Sequence, residues 1–145
     1  MFKKILVPTD GSELASSAAT MAVELARTHG AEVVGVYVID PFPYIGIGDA
    51  SAAGLQAYLS EAKQVAGQAL ETLGQACAAQ GVGFTGDTIE RNVIYEGILE
   101  TAKAEGCDLI VMASHGRKGV TALILGSVAQ KVLTHSPVPV LIAKG

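Results

Sequence analysis

Apolar residues follow two alternating rhythms along this chain, and the alternation predicts its elements. Lys4-Ile5-Leu6-Val7 is a short β-branched run ended by Pro8, which has no N–H with which to continue a central ladder. From Ser12 to about His29, Leu14, Ala18, Met21, Ala22 and Leu25 recur at three- and four-residue spacing, the period of an amphipathic helix. Ser12 is suited to cap that helix, with Glu13 in its first turn and Gly30 just beyond its end. Residues 33–39 are apolar with little alternation, as in a strand covered on both faces. Pro41, Pro43, Gly46 and Gly48 then mark a stretch, running to Gly54, that is too long for a simple connection.

Leu55, Leu59, Ala62, Ala66, Leu70, Leu73 and Cys77 predict a second, longer helix ending near Gly81. Residues 84–89 read as a weaker strand, suited to a sheet edge. Asn92 is placed to cap a third helix with Ile94, Ile98, Leu99 and Ala102 inward, and Gly106 stops it. Leu109-Ile110-Val111-Met112 is a buried-type strand leading into the turn Ser114-His115-Gly116. Gly126-Ser127 opens a short helical pattern, and a last apolar strand runs from Val138 to Ala143.

Buried strands separated by helices require right-handed crossovers, so the expected fold is α/β. It is a doubly wound, five-stranded parallel sheet with helices on both faces, built as one domain over residues 1–145. Ligands of such sheets bind beyond the carboxyl ends of the strands, where strand order reverses. Pro8-Thr9-Asp10, Val38-Ile39-Asp40 and Ala113-Ser114-His115-Gly116 all fall there by topology alone.

Composition narrows the functional classes. The formal charge of −4 argues against nucleic acid as the main partner. No apolar run approaches the roughly 18 residues of a membrane span, and the opening MFKKILVPTDGS is not patterned as a signal peptide. A soluble cytoplasmic domain is expected. Cys77 and Cys107 lie far apart, outside any CxxC spacing, and read as reduced packing residues. His29, His115 and His135 have no metal-ligand spacing, so no metal site is expected from protein ligands.

The crest residues suggest chemistry of binding, not of turnover. Asp10 can accept hydrogen bonds from a ribose or adenine, hold a cation, or simply shape its turn and the first helix cap. A strand, glycine turn and helix N-terminus offer backbone N–H groups to an anion such as phosphate. Gly116 and Gly126 would admit a pyrophosphate where a Cβ would clash. Ser127 adds a hydroxyl and, with the Val128 amide, could grip a terminal phosphate, while His115 and Arg117 flank the turn as further contacts. The run from Gly81 to Thr88 imitates a phosphate-binding loop, but Asp87 stands where the lysine is needed, and it precedes a strand. No G-x-S-x-G elbow exists, and Ser114 and His115, adjacent in sequence, are not expected to face each other as nucleophile and base. No catalytic set is visible.

Over nearly its whole length the chain resembles the universal stress protein family, through KKILVPTDGSELA, VYVID, DLIVMASHGRKG and LGSVAQKVLTHSPVPVLIAK. Its ATP-binding branch carries glycine, two residues, glycine, nine residues, glycine and Ser or Thr. Here the second glycine is Gly116, the nine residues are 117–125 and the end is Gly126-Ser127; the first glycine is replaced by Ala113. The resemblance implies an adenine nucleotide alpha hydrolase-like fold with strand order 3-2-1-4-5. It also implies that Thr9, Asp10 and Val38 surround adenine and ribose. Gly116, Gly126, Ser127 and Val128 would then hold the phosphates of ATP, ADP or AMP, commonly with Mg2+, and Ser114 and His115 would line the same groove. It further implies a homodimer through the strand from Val138 to Ala143, acting in stress or energy-state responses. A slow ATP hydrolase and a nucleotide-free dimeric scaffold are the rival readings.

Overall fold

Odd and even positions of the inner strands face opposite helix layers, which is why their sequences are apolar throughout. The computed structural model describes residues 1–41, 52–115 and 125–144. Within them the order is β1 (Lys4–Pro8), α1 (Glu13–His29), β2 (Glu32–Ile39), α2 (Ala52–Ala79), β3 (Phe84–Glu90), α3 (Ile94–Glu105), β4 (Leu109–Ala113), α4 (Ser127–His135) and β5 (Val140–Ala143). The strands form one parallel sheet in the order β3-β2-β1-β4-β5. The doubly wound topology expected from the sequence is the one observed.

Ile5, Val7, Val33, Leu109 and Val111 pack with Ala22, Val23 and Ala26 of α1 and Leu73 and Cys77 of α2. Their neighbours Leu6, Val34, Val36, Ile110 and Met112 pack with Ile98 and Ala102 of α3 and Ala129 and Val132 of α4. Ile5, Leu6, Val7 and Ile110 are fully buried. Each such side chain contributes roughly 1.5–3 kcal/mol relative to an exposed one, so the central strands β1 and β4 anchor the molecule. Cys77 and Cys107 are buried, one in each layer. Burial pushes both thiols up, that of Cys107 to about 11 against the opposing charge of Lys4, so both remain thiols near neutral pH.

Four local expectations are corrected. The buried face of α1 is Ala15, Ala18, Ala22, Val23 and Ala26, while Met21 is exposed. Small alanines let the helix lie close to β1 and β4, and the larger Leu14 and Leu25 are displaced to its flanks. Asn92 does not cap α3: Val93 holds the N-cap position, with no side-chain hydrogen bond. The last strand begins at Val140, because the Ser136 hydroxyl bonds both the amide (3.1 Å) and the carbonyl (2.7 Å) of Val138 and bends the chain there. Finally, Pro8 does belong to β1, in a one-sided way that shapes the site. The predicted start of α1 holds: the Ser12 hydroxyl accepts from the Ala15 amide (3.2 Å). Gly30 and Gly106 end α1 and α3 with φ of 67° and 69°, a conformation that favours glycine.

The length of α2 has a consequence at the crest. Its 28 residues span about 42 Å at 1.5 Å each, whereas the eight residues of β2 span about 26 Å. The helix therefore outruns the sheet. Its buried residues begin only at Ala66, and the turns before that stand above the carboxyl ends of the strands.

Candidate functional site

The two neighbours of β1 treat it differently. With β2 it pairs as far as Pro8 opposite Val36, and the Thr9 amide then donates to the Val36 carbonyl (2.9 Å). With β4 the pairing stops at Leu6 opposite Ile110. Successive residues of a strand present their N–H groups to opposite neighbours. Thr9 donates toward β2, so the preceding position faces β4, and there proline has nothing to donate. The sheet opens between β1 and β4 at that point, which is also where the strand order reverses.

A cavity of about 470 Å3 occupies the opening. That volume falls in the range of small-molecule sites. On the β2 side its wall is largely apolar: Val38, Ile39, Tyr58 and Ala62 of α2, and Ile94 and Ile98 of α3. On the β4 side the lining is His115, Gly126, Ser127 and Val128, with Pro8, Thr9, Asp10 and Ala113 at the strand ends between. Nine of the twelve residues singled out from sequence, His115 included, thus meet at one cavity. Ser114 does not line it. Gly116 and Arg117 lie outside the described residues.

The turn after β1 is self-organised. The Thr9 hydroxyl accepts from the Gly11 amide (3.1 Å) and one Asp10 carboxylate oxygen accepts from the Ser12 amide (3.0 Å). Asp10 therefore does shape the turn, as one of its three sequence readings held. A carboxylate accepts up to about four hydrogen bonds, so this role is compatible with contact to a ligand hydroxyl. The Tyr58 hydroxyl donates to the Asp40 carbonyl (3.0 Å), tying the overhanging part of α2 to the end of β2.

Gly126 lines the cavity and also makes a close contact that the sequence did not suggest. Its amide donates to the Ser114 carbonyl (2.7 Å). A Cβ built on it would lie 2.9 Å from the His115 Cβ, 3.0 Å from the His115 Cα and 3.0 Å from the Ser114 oxygen. The glycine lets the turn after β4 press against the start of α4. It is also the N-cap of that helix, leaving Ser127 as the first helical residue, exposed and with no cap to make. The first amides of a helix have no carbonyl partner within it and carry its positive dipole end. Ser127 and Val128 bring that end to the cavity.

Ser114 and His115 are in contact, though not as an exposed nucleophile and its base. The bend that follows β4 brings the Ser114 hydroxyl to 3.1 Å from the His115 Nδ1. The hydroxyl is nevertheless buried, at 1% exposure, and away from the cavity lining, so it is not presented as a nucleophile. Charged side chains on the described lining are Asp10 and Asp40, with no Lys or Arg among them. Nor do three His, Cys, Asp or Glu side chains converge as a metal site among the described residues.

Sequence reasoning placed Ala62, Ile94 and Ile98 in the apolar stripes of their helices but not at the cavity, and it missed Tyr58 entirely. The signal was the length of the α2 pattern against the short strands, which implies an overhang above the crest.

The sequence model of the universal stress protein family matches residues 1–144. This chain belongs to that family. Universal stress protein MJ0531 of Methanocaldococcus jannaschii is 36% identical over 99% of this chain and 83% of its own length. A universal stress protein of Thermus aquaticus is 36% identical over 99% of this chain and all of its own. Among solved structures, MJ0577 superposes with a TM-score of 0.87 at 28% identity, covering 100% of this chain and 97% of the other. Two more distant universal stress proteins share the fold. One, solved with cAMP, has a TM-score of 0.69 at 20% identity over 99% and 97% of the two chains. The other, from Archaeoglobus fulgidus and solved with dAMP, has 0.68 at 23% over 98% of each.

Proposed function

We propose that this universal stress protein binds an adenine nucleotide (ATP, ADP or AMP) between the ends of β1 and β4, with Mg2+ accompanying the phosphates. One observation carries the reading: the cavity has an apolar flank on the β2 side and a helix N-terminus on the β4 side. A nucleotide is divided in the same way, with a flat base at one end and an anionic tail at the other. Val38, Ile39, Tyr58 and Ile94 flank the base in this reading. Pro8, Thr9 and Asp10 meet the ribose, and Ala113 lies beneath it. The amides of Ser127 and Val128, with His115, receive the phosphates. Gly116, from the family pattern, and Arg117, as a flanking residue of the same turn, are further candidate phosphate contacts outside the described residues.

The residues present fit the ligand better than they fit a cation alone. Without Lys or Arg on the described lining, helix dipole and Mg2+ share the neutralisation of the tail. Asp10 and Asp40 are the carboxylates of the described lining, so most of the ion's ligands would be phosphate oxygens and water. The complexes of related folds with cAMP and dAMP support the choice of an adenine ring.

The protein would act as a cytoplasmic homodimeric regulator of stress or energy state, over one domain of residues 1–145. β5 is an edge strand with Leu141 38% exposed, and a second copy pairing along residues 140–143 would cover it. A partner that binds filled and empty states unequally would read occupancy. Calorimetric titration of the purified chain with Mg-ATP tests the reading. Saturable binding at one site per chain is expected; no heat and no thermal stabilisation at millimolar nucleotide would remove it.

A further inference from the structure

Ser114 and His115, at the end of β4, form a contact between side chains. Among the described residues, the hydrogen-bond partner of the buried Ser114 hydroxyl is the His115 ring, through Nδ1 at 3.1 Å. A buried hydroxyl proton without an acceptor is costly. With Nδ1 as its acceptor the hydroxyl proton is satisfied, and in that tautomer Nδ1 carries no proton. That arrangement puts the ring's proton on Nε2. His115 is among the residues that line the cavity, as are Ser127 and Val128.

The backbone around the pair is held in place from two sides. The Ser114 amide donates to the Ala143 carbonyl (3.1 Å), and its carbonyl accepts from the Gly126 amide (2.7 Å). The His115 Cα and Cβ rest against the position where Gly126 lacks a Cβ. The ring cannot exchange its nitrogens without breaking the bond to Ser114.

We propose that Ser114 is a positioning residue that holds His115 as the Nε2–H tautomer, making the neutral ring a hydrogen-bond donor to the nucleotide's phosphates. The proposal rests on the nucleotide reading for the identity of the acceptor, though not for the tautomer. A donor here adds to the amides of α4 at the end of the cavity where lysine and arginine are missing from the described lining.

Two measurements test it. The nitrogen shifts of His115 in the ligand-free wild-type protein, recorded by NMR at pH 8, should show a protonated Nε2 and a bare Nδ1. A ring protonated on Nδ1 would overturn the positioning role even if ATP binds well. Calorimetry then compares ATP with adenosine, which lacks phosphates. In Ser114→Ala and His115→Ala the ratio of ATP to adenosine affinity should fall about tenfold, the scale of one lost hydrogen bond. His115→Gln, whose amide nitrogen can replace Nε2 as donor, should recover most of that ratio. An unchanged ratio in both alanine variants would refute the phosphate contact while leaving the nucleotide site standing. Failure of the wild type to bind either ligand would instead remove the site itself, and with it the contact.

Discussion

The two ends of the sheet begin from the same strands and are finished in opposite ways. At the amino end, the carboxylate of Asp108, just before β4, accepts from the Lys3 amide (3.2 and 2.9 Å) and the Lys4 amide (3.1 Å). The Asp108 amide also donates to the Lys4 carbonyl (2.9 Å). β1 and β4 are stapled together there. At the carboxyl end the same two strands part at Pro8, and a cavity fills the gap. Another carboxylate, that of Asp10, accepts from the Ser12 amide of its own turn at this end. The Asp108 carboxylate ties the two strands at the closed end, whereas the Asp10 carboxylate helps shape a turn that borders the cavity.

Substitutions should separate the two ends, in order of decreasing effect. Ile110→Ala removes a fully buried side chain at the last paired position of β1 and β4. It should cost about 2–5 kcal/mol of stability in denaturant unfolding, while nucleotide affinity measured well below the midpoint changes little. Gly126→Val should act the other way round. Its branched side chain collides with the His115 and Ser114 backbone, so the turn must move. Mg-ATP affinity by calorimetry should drop about 100-fold or more, with a stability loss of roughly 1–3 kcal/mol.

Asp10→Ala should weaken ATP and AMP alike, by about tenfold each, because it acts at the nucleoside end. A loss confined to ATP would place Asp10 at the phosphates instead. The smallest effect is expected at the staple. Burial alone would raise the Asp108 carboxyl, but the amides of Lys3 and Lys4 outweigh it and hold the group below its ordinary value. A lowered carboxyl stabilises the fold above its unfolded pKa of about 3.9. That stability is lost as pH falls through the folded value. Asp108→Asn should therefore unfold about 1 kcal/mol more easily at neutral pH. The gap from wild type should close in acid, as read from urea midpoints across pH 2–7.

Much of the fold was legible because two-faced burial leaves an unmistakable mark on the inner strands: residues 33–39 and 109–112 are apolar without alternation. The place of the site was legible for a topological reason, since Thr9, Asp10 and Val38 had to end at the crest whichever helix packed where. What escaped were features set by relations between elements. Pro8 reads as a ladder breaker, but which ladder it breaks depends on the side to which Thr9 donates. Gly126 reads as a phosphate-approach glycine, yet its missing Cβ accommodates the His115 backbone. The Ser114–His115 contact depends on a bend that residue types do not encode alone. Tyr58 reaches the cavity only because α2 outlasts the strands beneath it.

The most direct test of the account is an amide NMR titration of the intact chain with Mg-ATP and, separately, adenosine. Both ligands should shift the amides of Thr9, Asp10 and Val38, and ATP alone should shift those of Ser127 and Val128, leaving Lys3, Lys4 and Asp108 in place. Saturable shifts centred on the stapled end, or none at millimolar ligand, would contradict it.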